Sequence, residues 1–138
     1  MKYILDTNVI SEIRKPNCNE NVKSFMETIK WEDTYLSAIT IGELCYCIEK
    51  LPSGKKKHDL SVWLYSKIFE NFKRRIIKIE SEVMLEWGRI CAKTDRTLTV
   101  EDSIIASSAI VHHMFLVTRN VKDFDSIEGI NIINPWEF

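Results

Sequence analysis

Short apolar runs alternate with longer amphipathic stretches along the chain, and the two periods assign most of the elements. Tyr3-Ile4-Leu5 is an unbroken apolar triplet, the pattern of a short strand buried on both faces. Val9 to Arg14 follows at helical spacing, and Lys15 to Asn19 reads as a turn. Asn19 opens a helix to about Ile29 with Val22, Phe25, Met26 and Ile29 on one face. Thr34 to Ser37 reads as a second strand. Thr40-Ile41-Gly42-Glu43 has the Thr-x-x-Glu pattern of a capping box and predicts a helix from Leu44 to Leu51. Pro52-Ser53-Gly54 breaks the chain. A longer helix over about Lys56 to Lys73 then carries Leu60, Trp63, Leu64, Ile68 and Phe72 as its inner stripe.

Arg75 to Ile79 predicts a third strand, and Ser81 starts a helix with Val83, Trp87, Ile90 and Cys91 inward and Arg96 near its end. Thr99-Val100-Glu101-Asp102 is a second capping-box pattern, opening a nearly all-buried helix from Ser103 to Met114. Phe115 to Thr118 predicts a fourth strand, residues 119–124 a loop and short turn, and Ile130 to Ile133 a last strand stopped by Asn134-Pro135. Strands alternating with helices through short loops define an α/β protein, a three-layer α/β/α sandwich on a mostly parallel sheet.

Composition narrows this picture in three ways. A length of 138 residues with low Gly and Pro and no repeat predicts a single domain over 1–138. There is no signal-peptide pattern and no apolar run long enough to cross a bilayer, so no membrane association is expected. Cys18, Cys45, Cys47 and Cys91 form no C-x-x-C pair, and only three histidines are present, which argues against zinc. The cysteines are expected to be small buried hydrophobes in a reducing cytoplasm. A net charge of −1 excludes a strongly basic coat but leaves room for a local basic face around an acidic pocket.

Candidate chemistry comes from where the acids fall. Asp6 follows strand one, Glu43 lies at the start of the helix after strand two, and Asp123 follows strand four. In a parallel sheet these places share one edge, and Asp102, in the first turn of its helix, can join them. Each acid has a plainer reading in a helix cap: Asp6 or Asn8 could cap the first helix, Glu43 and Asp102 could complete capping boxes, and Asn120 with Asp123 has the same spacing. Four together would repel and raise one another's pKa, which a cation relieves. Hard oxygen ligands without Cys or His favour Mg²⁺ or Mn²⁺, and that combination suits phosphoryl chemistry.

Several stretches also resemble a known family. Tyr3-Ile4-Leu5-Asp6-Thr7-Asn8, Ser37 to Leu44, Thr99 to Ala106, Leu116 to Phe124 and the closing Asn134-Pro135-Trp136 are similar, in order and spacing, to the PIN-domain ribonucleases. Within that family they look like the VapC-type toxins of toxin–antitoxin pairs. The resemblance implies a single PIN-like nuclease domain, an endoribonuclease whose acids hold Mg²⁺ or Mn²⁺. Asp6, Glu43 and Asp102 match its three firm positions. Some members carry the fourth acid where this chain has Asn120 and others at Asp123; Asp123 is favoured here, with Asn120 as a hydrogen-bonding neighbour. Thr7 and Thr118 match positions that orient the acids or the attacking water, and Glu43 is a candidate general base. Products with 5′-phosphate and 3′-hydroxyl ends are implied, and transfer RNA is among the substrates of relatives. Arg14, Lys15 and Arg119 are the expected RNA contacts near the acidic edge; Lys55 to Lys57 and Lys73 to Arg75 read as solvated helix face first. The resemblance further implies a homodimer and a VapB-like antitoxin that blocks the groove.

Other readings compete. A PIN nuclease of general RNA processing keeps the enzyme and changes the biology. A signalling receiver domain needs an Asp after strand three, where this chain has Glu80-Ser81-Glu82. A haloacid-dehalogenase-type phosphatase needs an Asp at the position of Asn8. A non-catalytic binding module is weakened because no expected acid is missing.

Overall fold

The strand that organises the molecule is the first one, and it occupies the middle of the sheet. In the computed structural model, which describes residues 1–138, β1 (Tyr3–Leu5), β2 (Thr34–Ser37), β3 (Ile76–Ile77), β4 (Phe115–Val117) and β5 (Asn131–Ile133) form one sheet in the order β3-β2-β1-β4-β5. Every neighbouring pair is parallel. Leu5 sits opposite Val117, and Val117 opposite Ile133, so all strands deliver their carboxyl ends to one edge.

Alternation along β1 splits the core. Tyr3 and Leu5 join Val9, Ile10, Phe25, Leu36, Leu44, Leu64, Ile68 and Phe72 on one face. That layer is built by α1 (Thr7–Ile13), α2 (Glu20–Thr28), α3 (Ala38–Glu49), α4 (Lys55–Val62) and α5 (Phe69–Asn71). Ile4 points the other way and packs with Ile90, Ile105, Ala106, Ala109, Leu116 and Phe124, under α6 (Ser81–Lys93) and α7 (Val100–Val111). This is the three-layer α/β/α arrangement expected from the pattern, with a sheet that is wholly parallel.

Four local features depart from the sequence reading. The helix after β2 starts at Ala38, six residues before Leu44, because Ser37 caps it by accepting from the Ile39 N–H at 3.2 Å. Thr40 therefore lies inside the helix, fully buried, and its hydroxyl has no hydrogen-bond partner. The long helix keeps its extent but widens to π-type turns over Trp63–Ile68, joining α4 to α5 in one run. Leu60, Leu64, Ile68 and Phe72 recur every fourth residue, which drifts about 40° per step round an ordinary α-helix; wider turns hold that stripe on the sheet. The third strand shrinks to Ile76–Ile77, leaving Ile79 at 37% exposure, and α6 ends at Lys93 instead of near Arg96.

The cysteines are also not where hydrophobes would be. Cys47 and Cys91 are exposed, Cys18 and Cys45 half-buried, and all four are free thiols. No helix is long and apolar enough to cross a membrane. Arg75, read from sequence as surface, is a structural side chain: its guanidinium donates to the carbonyl of Trp31 at 2.7 Å and lies 4.9 Å from the Phe72 ring centre.

A buried hydroxyl with no partner costs its full desolvation. Thr40→Val, which keeps the shape, is expected to raise stability by about 1 kcal/mol in urea unfolding; a loss of stability would mean that the hydroxyl has a partner in solution.

Candidate active site at the carboxyl edge of the sheet

Asp6 is the first residue past β1 and is held from several sides. Its backbone N–H continues the sheet by donating to the Val117 carbonyl at 3.0 Å, and its own carbonyl receives the N–H groups of Val9 and Ile10. One carboxylate oxygen, Oδ1, accepts the Thr7 backbone N–H at 2.8 Å. The other, Oδ2, accepts the Thr118 hydroxyl at 2.8 Å and the Asn8 amide at 3.3 Å. Thr118 is obliged to donate. Its oxygen already accepts from the Asn120 N–H at 3.1 Å and the Asn8 amide at 3.3 Å, so its single proton goes to Asp6.

Asp6 is only 7% exposed. Burial pushes its carboxyl above the ordinary carboxylate range, against the pull of Thr118, Thr7 and Asn8, and the charge of Asp123 adds to the rise. The hydrogen bonds thus fix the group without fully compensating its desolvation.

Glu43 reaches the same edge from the second turn of α3, not from the N3 position of a capping box. The Thr7 hydroxyl donates to its Oε1 at 2.8 Å, tying it to the residue beside Asp6. Burial raises its pKa first; the charges of Asp6, Glu101 and Asp102 raise it further. Asp102 lies in the first turn of α7 where sequence placed it, with Thr99 as the N-cap accepting the Asp102 N–H at 3.1 Å. Its carboxyl too is raised, by burial and then by the charges of Asp6, Asp123 and Glu101, while Thr99 pulls it down. Asp123 is exposed in the turn Val121–Asp123, with its backbone N–H on the Asn120 carbonyl at 3.0 Å. Asn120 makes no side-chain cap there; its backbone N–H is what engages the cluster.

These four acids share one edge, neighbouring acids help raise Asp6, Glu43 and Asp102, and none has an ion-pair partner: the only such pairs are Lys15–Glu12, Lys57–Glu49 and Arg89–Glu86. An all-oxygen, cation-free donor set of this kind fits a hard divalent ion. As the side chains stand, no three His, Cys, Asp or Glu groups are arranged to hold one ion, so ligation would require Glu43, Asp102 and Asp123 to draw in towards the fixed Asp6.

The expected basic contacts divide. Arg119 donates its backbone N–H to Asn8 Oδ1 at 3.2 Å and lies 5.2 Å from the Trp136 ring, at the edge of the site. Lys15 is paired with Glu12 at 3.3 Å, and Arg14 lies 5.7 Å from the Trp63 ring beside Lys55 and Lys56, on the flank. The largest cavity, about 810 Å³ between the end of α1 and α2, contains none of the acids. Sequence reasoning treated Asn8 only as a possible cap. It is the clasp that ties the ends of β1 and β4, and its signal was a polar residue two positions past a strand-terminal Asp.

A parallel sheet with clustered carboxylates at the switch point beside its central strand defines an acidic-edge α/β domain. The chain belongs to the PIN-domain family, whose model, described as PIN domain, matches residues 3–130. It is 36% identical over 136 residues to Toxin FitB of Neisseria gonorrhoeae, covering 96% of this chain and 97% of that protein. It is 29% identical over 137 residues to VapC ribonuclease Y4jK of Sinorhizobium fredii, covering 97% of each. Its fold superposes on a crystal structure of FitAcB from Neisseria gonorrhoeae with a TM-score of 0.89 at 33% identity, over 99% of both chains. VapBC2 from Rickettsia felis bound to a promoter DNA fragment has the same fold at 23% identity, with a TM-score of 0.78 over 97% of this chain and 98% of that one.

A carboxyl whose folded pKa lies above its unfolded value destabilises the fold once ionised, so stability is greatest at low pH and falls as pH climbs through the folded pKa. Glu43→Gln keeps an acceptor for Thr7 and removes the charge. In metal-free buffer at neutral pH it is expected to raise the melting temperature by a few degrees at most, because solvent screens this half-buried group. That gain should vanish below about pH 4, where the wild-type carboxyl is neutral in both states.

Proposed function

We propose that this protein is a metal-dependent endoribonuclease and the toxin of a toxin–antitoxin pair. The observation that carries the reading is the set of four carboxylates at one sheet edge with no protein cation among them. Asp6, Glu43, Asp102 and Asp123 would hold Mg²⁺ or Mn²⁺. When bound, such an ion activates water and neutralises charge on the scissile phosphate.

The chain's own residues do the rest. Thr118, Asn8 and the Thr7 N–H fix the rotamer of Asp6, so one ligand is set before substrate arrives. Thr7 occupies Oε1 of Glu43 and leaves Oε2 free to take a proton from the attacking water. Water's oxygen bonds to phosphorus, the bond from phosphorus to the 3′ oxygen breaks, and that oxygen leaves as a hydroxyl. The products carry 5′-phosphate and 3′-hydroxyl ends. Arg119, beside the acids, would contact RNA phosphate, with Arg14 and Lys15 further out on the flank.

The toxin assignment draws on relatives. One is named Toxin FitB and others VapC ribonucleases, and structures of similar fold are complexes named VapBC. A VapB-like antitoxin, a homodimeric state and a cytoplasmic site of action belong to the same proposal, and transfer RNA is the first substrate to try.

The test is cleavage of total RNA by the purified chain with Mg²⁺, with EDTA, and as Asp6→Asn and Asp102→Asn variants. Cuts with 5′-phosphate ends are expected with Mg²⁺ alone, falling at least 100-fold in both variants. Folded wild-type protein that cuts neither total RNA nor transfer RNA with either ion would overturn the proposal.

A further inference from the structure

A second feature lies next to the acidic edge and shares Glu43 with it. Between α3 and α7 lies a pocket of about 440 Å³, lined from α3 by Ile39, Gly42, Glu43, Tyr46 and Cys47 and from α7 by Glu101. Its size falls within the range of small-ligand sites, roughly 300–1,000 Å³. We infer that this pocket receives a nucleobase of the RNA next to the cut, with Tyr46 as its stacking surface, Glu101 as its hydrogen-bond acceptor, and guanine as the best-matched base. The inference rests on the ribonuclease reading above and names how that enzyme would choose its site.

Three observations converge on it. Tyr46 is 64% exposed, and its ring does not enter the core. The ring is nonetheless held: its hydroxyl meets Lys50 Nζ at 3.4 Å, and that ammonium lies 5.3 Å from the ring centre. An aromatic face presented beside a candidate nuclease centre is the usual platform for an unpaired base.

Gly42 is the second. It stands in the interior of α3, where glycine is the poorest helix former after proline. A Cβ there would meet nothing within 4 Å, so helix packing does not demand the glycine. What the missing side chain does is keep the pocket floor open between Ile39 and Tyr46.

The third is the charge of the lining. Glu101 has no cationic partner, and Glu43 belongs to the acid cluster. The Glu101 carboxylate repels phosphate and can only accept hydrogen bonds. The occupant must therefore present N–H donors rather than backbone oxygens. Guanine offers a ring N–H and an exocyclic amine side by side, which a single carboxylate can accept together, as it accepts the paired donors of arginine.

The experiment uses the full chain on a single-stranded RNA pool randomised around the cut, with both ends of the products sequenced, followed by kinetics on one guanine-containing substrate and its inosine counterpart. Inosine keeps the ring N–H and lacks the amine. Wild type is expected to prefer guanine at one position flanking the cut. Tyr46→Ala and Gly42→Leu should lower kcat/KM by roughly tenfold or more through KM, in line with the loss of one stacked base, while Tyr46→Phe recovers most of that loss. Glu101→Gln should erase the discrimination between guanine and inosine. Melting temperatures establish that each variant is folded, and binding of labelled RNA with Ca²⁺ in place of Mg²⁺ reads affinity without cleavage. If wild type cleaves and folded Tyr46→Ala and Gly42→Leu match it in KM and flanking preference, this pocket is not a base site and the nuclease reading stands. If wild type neither cleaves nor binds RNA, both readings fall together.

Discussion

A carboxylate buried at the end of the central strand is the constraint on which the rest of the site depends. The register that sets Leu5 against Val117 brings Asp6 level with Thr118, and a charge so placed is costly unless it is hydrogen-bonded. Three donors converge on it, two of them from the residues immediately following in the chain. Their bonds dictate the polar sequence around the strand ends: Thr7 and Asn8 after β1, Thr118 after β4. Because burial still outweighs those bonds, the fold holds Asp6 in a state that a cation would relieve. Stability is given up locally to keep a charged group fixed where it can act.

The strand order turns this single group into a cluster. From β1 the chain moves outward to β2 and β3 on one side, then returns to place β4 and β5 on the other. Loops on either side of β1 therefore open away from each other, and acids from both halves meet in the gap. Glu43 comes from the β2 side, Asp123 from the β4 side, and Asp102 from a helix packed on the opposite face of the sheet. Only Asp6 is locked by several donors; Glu43 has one hydroxyl, and Asp123 has no side-chain bond. A site with one rigid corner and three looser ones can adjust to an ion without reshaping the sheet.

Much of this was legible in the chain because short apolar runs alternate with helical stretches, and one of them, Tyr3 to Leu5, is followed at once by an acid. The strands and the layers followed from that rhythm, and the strand ends put Asp6, Glu43 and Asp123 at one edge; Asp102, which no strand precedes, could only be offered as able to join them. What escaped were competitions between local signals. Ser37 and Thr40 are both capable caps, and the strand running straight into α3 decided for Ser37, stranding the Thr40 hydroxyl in the core. The stripe from Leu60 to Phe72 looked like an ordinary helix face, but its strict fourfold spacing is met by widened turns. Asn8 was invisible as a clasp because its partners, Thr118 and Arg119, lie some 110 positions away. The cysteines were misjudged because their apolar character says nothing about which helix face they occupy.

The same separation has a consequence for how the protein comes into being. The central strand leaves the ribosome well before its partner, since the hydroxyl that fixes Asp6 belongs to a residue 112 positions later. Until β4 has emerged, β1 lacks its neighbour on one side and Asp6 remains a solvated carboxylate with an ordinary rotamer distribution. Long-range parallel pairing of this kind closes late in folding. The growing polypeptide therefore carries Asp6 unassembled until β4 follows it, and the buried corner of the site forms only once both strands are present.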